Sequence, residues 1–127
     1  MTHKIRPHIQ GPGDYALEVV GEVNYQDALS RLCGGRTKNG HFKEMIATLI
    51  HEDDNPYDSK AIRIEIENVT IGYLNRKDAR AYRRQLKKRG YPGLTVTCDA
   101  MIRGGWKRGF FDRGDFGVVL DLPVERI

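Results

Sequence analysis

The stretch AIRIEIENVTIGYLNRKDARAYRRQLKKRG, residues 61–90, contains two strands, the turn between them and a helix. Ala61 to Ile66 alternates isoleucine with charged residues, which is the pattern of a strand with one buried face. Glu67-Asn68 suits a tight turn, and Val69 to Leu74 supplies a second strand. The stretch therefore predicts a β-hairpin that leads directly into a helix.

The helix has clear signals at both ends. Asn75 is a good N-cap, Asp78 follows where an acid suits the free N–H groups, and Gly90 ends the helix. Its apolar stripe consists of Ala79, Tyr82 and Leu86. At about 100° per residue, five basic residues fall on a separate arc. They are Arg76, Arg80, Arg83, Arg84 and Lys87. We expect this basic face to point away from the core.

Outside this stretch, the chain contains four further strand candidates and one short helix. The strands are Tyr15–Val20, Phe42–Ile50, Leu94–Ile102 and Phe116–Leu122. Asn24 can cap the short helix, Asp27 lies in its first turn, Ala28, Leu29 and Leu32 form its apolar face, and Gly34-Gly35 end it. Six short strands with two helices predict a mainly β (α+β) fold, a small six-stranded SH3-like or OB-like β-barrel.

Length and composition are those of one globular domain. The chain has 127 residues, of which 39% are hydrophobic and 30% are charged, enough for one packed core. We expect a flexible lead-in over 1–13 and a single domain over 14–127. The sequence shows neither a signal peptide nor a membrane span. Cys33 and Cys98 do not form a metal-binding pair, so we expect reduced core cysteines, a cytoplasmic location and no cofactor.

Charge is concentrated on the second helix. Arg76 to Arg89 holds eight basic residues and one acid, whereas the whole chain carries a net charge of only +4. A segregated cationic stripe attracts a polyanion, first of all nucleic acid. The candidate phosphate contacts are Arg76, Lys77, Arg80 and Arg83. The alternatives are a solvated helix face, or a protein-interaction surface that docks an acidic partner.

The turn before residue 61 provides a more specific motif. It reads His51-Glu52-Asp53-Asp54-Asn55-Pro56-Tyr57-Asp58-Ser59-Lys60 and is followed by Ala61-Ile62 and then by Ile71-Gly72-Tyr73-Leu74. This ordered set resembles the HIRAN family, whose hallmark is an Asn-Pro-Tyr-Asp segment that leads into an Ala-Ile strand and then a Gly-aromatic-Leu step. Val19-Val20-Gly21 and Phe116–Leu122 extend the resemblance over nearly the whole folded part.

The resemblance implies a noncatalytic DNA-binding module of the stand-alone bacterial or phage type. Family members of known function bind single-stranded DNA by a free 3′-hydroxyl end, and they serve DNA repair, replication or phage DNA metabolism beside a repair helicase or nuclease. The Asn55 to Asp58 motif would form the end pocket. Tyr57 would stack on the terminal nucleotide, and Asp58 would accept a hydrogen bond from the 3′-hydroxyl.

The resemblance also implies contacts outside that motif. Tyr73 and Arg76 would hold phosphate, and Phe116 would stack on a base. Where the family carries an Arg-aromatic pair, this chain has Val23-Asn24. Tyr25, one residue later, replaces that pair only if the helix begins later than expected.

Each of these roles has a plainer alternative. Tyr57 can be a core residue, and Asp58 can satisfy backbone N–H groups within its turn. The loop Arg103–Phe111 mixes basic residues, glycines and three aromatics, which suits stacking on unpaired bases, with Trp106 as the main candidate. Its alternative is a lid that packs on the barrel.

An enzyme is the remote alternative. His51, Glu52, Asp53, Asp54 and Asp58 supply ligand types for a metal-dependent nuclease. They are nearly consecutive in a turn, and the sequence offers no second acidic motif for a two-metal site. The sequence also lacks a phosphate-binding loop and any nucleophile signature. We therefore expect no catalytic residue, no metal and no membrane partner.

Overall fold

The computed structural model describes residues 6–125 and is mainly β with two helices, as predicted. The strands are β1 (His8–Ile9), β2 (Leu17–Glu18), β3 (His41–His51), β4 (Ile62–Ile66), β5 (Val69–Tyr73), β6 (Val96–Gly104) and β7 (Phe116–Asp121). The helices are α1 (Gln26–Cys33), which follows a 3-10 turn over Glu22–Tyr25, and α2 (Arg76–Lys88).

Six strands form one curled antiparallel sheet in the order β2-β7-β6-β3-β4-β5. The two edges of this half-barrel meet where Val20 and Tyr73 exchange backbone hydrogen bonds of 2.8 and 2.9 Å. Gly72 makes this approach possible, because a Cβ there would lie 2.4 Å from the Val19 side chain. The curled sheet encloses the core.

The hairpin and the second helix form as the sequence predicts. Ile62, Ile64 and Ile66 are fully buried on the inner face, and the left-handed backbone of Glu67 and Asn68 makes the turn between β4 and β5. In α2, the Asn75 side chain accepts a hydrogen bond from the Asp78 backbone N–H at 2.7 Å. The predicted stripe of Ala79, Tyr82 and Leu86 is buried in the core.

The start of the first helix differs from the prediction. Asn24 does not cap it, because residues 22–25 form a 3-10 turn and α1 begins at Gln26. The Gln26 side chain fixes this later start, since it donates to the Phe116 carbonyl at 2.9 Å and accepts from the Phe116 N–H at 2.8 Å. Gly34, in the left-handed conformation, ends the helix as expected.

The amino-terminal segment also differs from the expected lead-in over 1–13, of which residues 1–5 lie outside the described residues. His8 and Ile9 pair in parallel with Thr97 and Cys98 of β6. Further along, the Gly13 N–H donates to both oxygens of the buried Asp121 carboxylate, at 2.9 and 3.0 Å. Residues 8–13 are therefore tied to the sheet.

The two cysteines are free thiols. Cys98 is fully buried, and burial raises its pKa to about 12. Cys33 is half-buried at the end of α1, where burial raises its pKa as well. Among the described residues, neither helix has the length and apolar character needed to cross a membrane.

Candidate nucleic-acid interface

The turn singled out in the sequence is a loop of residues 52–61 between β3 and β4. The Asn55 side-chain oxygen accepts hydrogen bonds from the backbone N–H groups of Tyr57, at 2.8 Å, and Asp58, at 3.1 Å. This is the Asx geometry that its sequence favours. Asn55 therefore shapes the loop from within rather than facing solvent with a free amide.

Glu52 anchors the beginning of the loop on the outer face of the sheet. Its carboxylate accepts hydrogen bonds from Asn55 at 2.9 Å, from Arg63 at 2.7 Å and from the Tyr73 hydroxyl at 3.1 Å. Burial alone would raise the pKa of Glu52, but these three hydrogen bonds and the positive charge of Arg63 outweigh it and lower the pKa. Glu52 is thus held as a carboxylate.

Tyr73 takes part in the hydrogen bonds of the Glu52 carboxylate. Its hydroxyl donates to Glu52, and burial followed by the Glu52 contact raises its pKa to about 12. The Tyr25 phenol lies close enough to add to that shift. Tyr25 ends the 3-10 turn over Glu22–Tyr25, which contacts β5, the strand of Tyr73. The later start of α1 is the condition under which Tyr25 could replace the missing pair at Val23-Asn24, and that replacement stays a prediction.

The second half of the loop is held by α2. Asp58 forms an ion pair with Arg80, with N···O distances of 3.2 and 3.3 Å, and lies 3.8 Å from Arg76. Arg76 also donates to the Tyr57 carbonyl at 3.1 Å. Arg83 donates to the carbonyl of Lys60 at 2.8 Å and to that of Ala61 at 3.0 Å. The basic face points away from the core, as expected, but part of it binds this chain's own loop.

Asp58 has the turn role that the sequence left open as an alternative. One carboxylate oxygen accepts the Lys60 backbone N–H at 3.0 Å. The pKa of Asp58 is lowered, first by that hydrogen bond and then by the Arg80 guanidinium. Because Arg80 and Arg76 offset its charge, Asp58 alone does not make this surface repel a phosphodiester.

Beside the loop, the surface has a depression of about 320 Å³ lined only by cations. Its lining residues are Lys60, Arg80, Arg83, Arg84 and Lys87. We call this the cationic depression. Arg84 and Lys87 are exposed, and their side chains make no hydrogen bond or ion pair with residues 6–125. The depression is therefore suited to an anion.

The structure gathers most of the predicted contact residues around the 52–61 loop. They are Asn55, Tyr57, Asp58, Tyr73, Arg76, Arg80 and Arg83. Tyr25 lies on the 3-10 turn that contacts β5. Tyr57 is 87% exposed, so the alternative that it is a core residue is wrong. Lys77 is exposed on the first turn of α2, and its side chain bonds to no other group in the described part of the chain.

Two predicted contact residues lie elsewhere. Phe116 is 1% exposed and packs on His41, with ring centroids 5.4 Å apart, and under the Arg36 guanidinium. Because its ring is buried in the core, the prediction that Phe116 stacks on a base is wrong. Trp106 is partly buried between Arg108, 4.8 Å from its ring, and Gly114.

Three residues of this surface were not among the predicted contacts. Glu52 was a candidate only as a metal ligand, and Arg63 is one of the charged residues that alternate with isoleucine in the strand Ala61 to Ile66. Lys60, which contributes to the cationic depression, was not considered at all. The pairing of Ile50 with Arg63 across β3 and β4 places Glu52 near Arg63. A correct prediction of the register between β3 and β4 would have indicated the ion pair between Glu52 and Arg63.

The candidate metal ligands at and near the 52–61 loop point in different directions. His51 continues the inward-facing positions of β3, and its ring packs 6.1 Å from that of Tyr82. Burial and the nearby Arg83 lower the pKa of His51. Glu52 faces outward to Arg63, and Asp53 pairs with Arg83 at 2.8 Å. Within residues 6–125, no three His, Cys, Asp or Glu side chains are grouped to hold a metal ion.

Comparison of the chain with models of known protein families, with curated protein sequences and with solved structures gave no match. The resemblance to the HIRAN family therefore rests on the motif residues themselves.

Proposed function

We propose that this protein is a noncatalytic module that binds single-stranded DNA along α2 and the 52–61 loop, with a preference for a free 3′-hydroxyl end. The observation that carries the proposal is the cationic depression, lined by Lys60 of the 52–61 loop, together with the exposed ring of Tyr57 on the same loop. Cations neutralise phosphates, and an exposed aromatic ring offers a surface on which a base can stack. A single strand supplies both chemistries, whereas in a duplex the faces of the bases are covered by stacking on their neighbours.

The end preference is the finer part of the proposal and comes from the HIRAN resemblance. A 3′-hydroxyl can donate to the acceptor capacity that remains on the Asp58 carboxylate, which is only 12% exposed. A terminal 3′-phosphate would remove the hydroxyl donor, so this acceptor site of Asp58 would stay unpaired. Arg76, beside Asp58, would hold the phosphate that precedes the terminal sugar. Such a module would act in the cytoplasm, in DNA repair, replication or phage DNA metabolism, beside a helicase or nuclease.

The test compares oligonucleotides that differ only in their 3′ group. Fluorescence anisotropy should show tighter binding of the 3′-hydroxyl form than of the 3′-phosphate form by roughly tenfold to a hundredfold, the range of a hydrogen bond to a charged group. Asp58→Asn should reduce this preference while binding to a circular single strand is retained. Oligonucleotides that differ only in their 5′ group should bind equally and serve as the control.

The other outcomes separate the alternatives. Equal binding of both 3′ forms would contradict end recognition and leave a general single-strand binder. No DNA binding at low salt would overturn the proposal and favour a helix face that docks an acidic protein. Cleavage of the labelled strand after addition of Mg²⁺ or Mn²⁺ would contradict the noncatalytic assignment.

A further inference from the structure

The loop that connects β6 to β7, residues 105–115, displays two phenylalanines at its tip. Phe110 is 80% exposed and Phe111 is 93% exposed. Their rings form an edge-to-face pair with centroids 4.7 Å apart and planes at 85°. Exposed aromatic pairs are unusual on a monomeric surface and mark interaction sites. In contrast to the sequence expectation, these rings rather than Trp106 are free for stacking.

Hydrogen bonds and packing fix the base of the 105–115 loop, which carries the two rings. The Arg108 N–H donates to the Asp112 carbonyl at 2.9 Å, and the Gly114 N–H donates to the Trp106 carbonyl at 3.1 Å. Trp106 also packs on Gly114, where a Cβ would lie 2.2 Å from the indole nitrogen. The Lys107 N–H joins this base to the Thr37 carbonyl at 2.8 Å. Because the base of the loop is ordered before binding, a partner does not have to order it.

The charges around the tip are mainly positive. In the sequence, Lys107, Arg108 and Arg113 flank the two phenylalanines, and Asp112 is the one acid among residues 107–113. The Arg108 guanidinium lies over the Trp106 ring and donates to the Lys38 carbonyl at 3.2 Å. Aromatic rings among cations suit a ligand that has both flat apolar faces and negative charge. Unpaired nucleotides have both properties.

We propose that Phe110 and Phe111 stack on unpaired bases of single-stranded DNA and form a second contact besides the 52–61 loop. The inference rests on the proposed function, because it assigns the same ligand to another surface. An anionic membrane is the competing ligand, since it also attracts rings among cations. Asp112 directly follows the ring pair, so insertion into lipid would remove its carboxylate from water at high cost. Base stacking leaves that carboxylate hydrated.

The test uses the double variant Phe110→Ala/Phe111→Ala and two labelled strands of about 12 nucleotides, a length within the range that single-strand grooves cover. One strand is oligo-deoxythymidine, and the other is an abasic strand with the same number of phosphates. The double variant should bind oligo-deoxythymidine about tenfold or more weakly than the unchanged protein, the loss expected for a stacked base. Its affinity for the abasic strand should not change, because phosphate contacts remain.

Tyr91→Ala is the matched control. Tyr91 is 59% exposed and follows α2, near the beginning of β6, whereas the 105–115 loop follows the end of that strand. This variant should bind both strands like the unchanged protein. All the replaced rings are exposed, so melting temperatures should stay the same.

Three results would overturn the inference in distinguishable ways. If the unchanged protein binds oligo-deoxythymidine and the double variant binds it equally well, the second contact is wrong and the proposed function stands. If the unchanged protein binds neither strand, both proposals fail. If the double variant keeps its DNA affinity but loses binding to vesicles of phosphatidylserine and phosphatidylcholine, the tip is a membrane contact.

Discussion

Tyr57 and Phe116 received similar roles from the sequence, but they lie in opposite environments, with 87% and 1% of their surfaces exposed. Tyr57→Ala should change the free energy of unfolding by less than about 0.5 kcal/mol, as is usual for a surface substitution. If the ring stacks on a base, the same variant should lose about 1–3 kcal/mol of binding to single-stranded DNA. Urea unfolding and fluorescence anisotropy measure the two effects separately.

Phe116→Ala is the counterpart and should behave in the opposite way. Loss of a buried phenyl ring should cost about 3–5 kcal/mol of unfolding free energy, because it leaves a cavity beside His41 and Gly105. The fraction that stays folded should bind DNA with unchanged affinity. A Phe116→Ala protein that is stable but binds poorly would contradict the buried position of this ring.

Glu52 makes stability depend on pH in an identifiable window. Its pKa in the folded protein is lowered from the ordinary value of 4.5, so its contribution is present above that pH and is lost as the pH falls through the lowered value. Glu52→Gln should destabilise the protein by about 1–3 kcal/mol at neutral pH, because Arg63 loses one of its two charged acceptors and keeps only Glu65. Unfolding measured from about pH 6 to about pH 3 should show a smaller decline for the variant than for the unchanged protein. An equal decline in both would assign the pH dependence to other carboxylates.

The helix α2 has two kinds of basic residue. Arg80 and Arg83 hold the 52–61 loop, whereas Arg84 and Lys87 project from the cationic depression. Reversing Arg84 and Lys87 to glutamate should lower DNA affinity. The double reversal should also reduce the slope of log affinity against log salt concentration by about 0.7 for each phosphate contact that is lost. Affinity measured over a range of salt concentrations gives the slope.

Arg31→Glu is the control for this experiment, because Arg31 is an exposed basic residue on α1. It should leave the slope unchanged. A slope that stays the same in the Arg84→Glu/Lys87→Glu variant would assign the stripe to solvent or to a protein partner. Reversal of Arg80 is less informative, since it would also release Asp58 and with it the loop.

Local signals explain why the elements were largely predictable. The alternation in β4, the Asn75 cap and Gly90 act within a few residues of where they occur, and all three have the expected effect. The start of α1 was not predictable in this way, because Gln26 bonds to Phe116, 90 positions away in the chain. The same reasoning applies to the candidate site. Its loop could be located from the sequence, but the pairing of Asp58 with Arg80 depends on how α2 packs.

Asp121 connects the amino-terminal segment to the whole sheet. Its carboxylate is 1% exposed and accepts the backbone N–H groups of Gly13 and Tyr15. Asp121→Ala leaves these donors without a partner and should cost about 1–3 kcal/mol of unfolding free energy. It should also make residues 8–13 more accessible to limited proteolysis, followed by mass spectrometry. An unchanged cleavage pattern would show that the pairing of β1 with β6 suffices to hold the segment.

The two ends of the sheet are joined more weakly than its centre. The strands β3 and β6 pair along nine residue positions, whereas within residues 6–125 the two edges meet through one bridge, between Val20 and Tyr73. This clasp should be the first part of the barrel to open, so its amide protons should exchange with deuterium sooner than those inside β3. The Tyr73 hydroxyl is also bonded to Glu52, at the beginning of the 52–61 loop. A ligand that orders this loop should therefore slow amide exchange at Val20 and Tyr73. Exchange at the junction of the two sheet edges would then measure ligand binding at a loop outside the barrel.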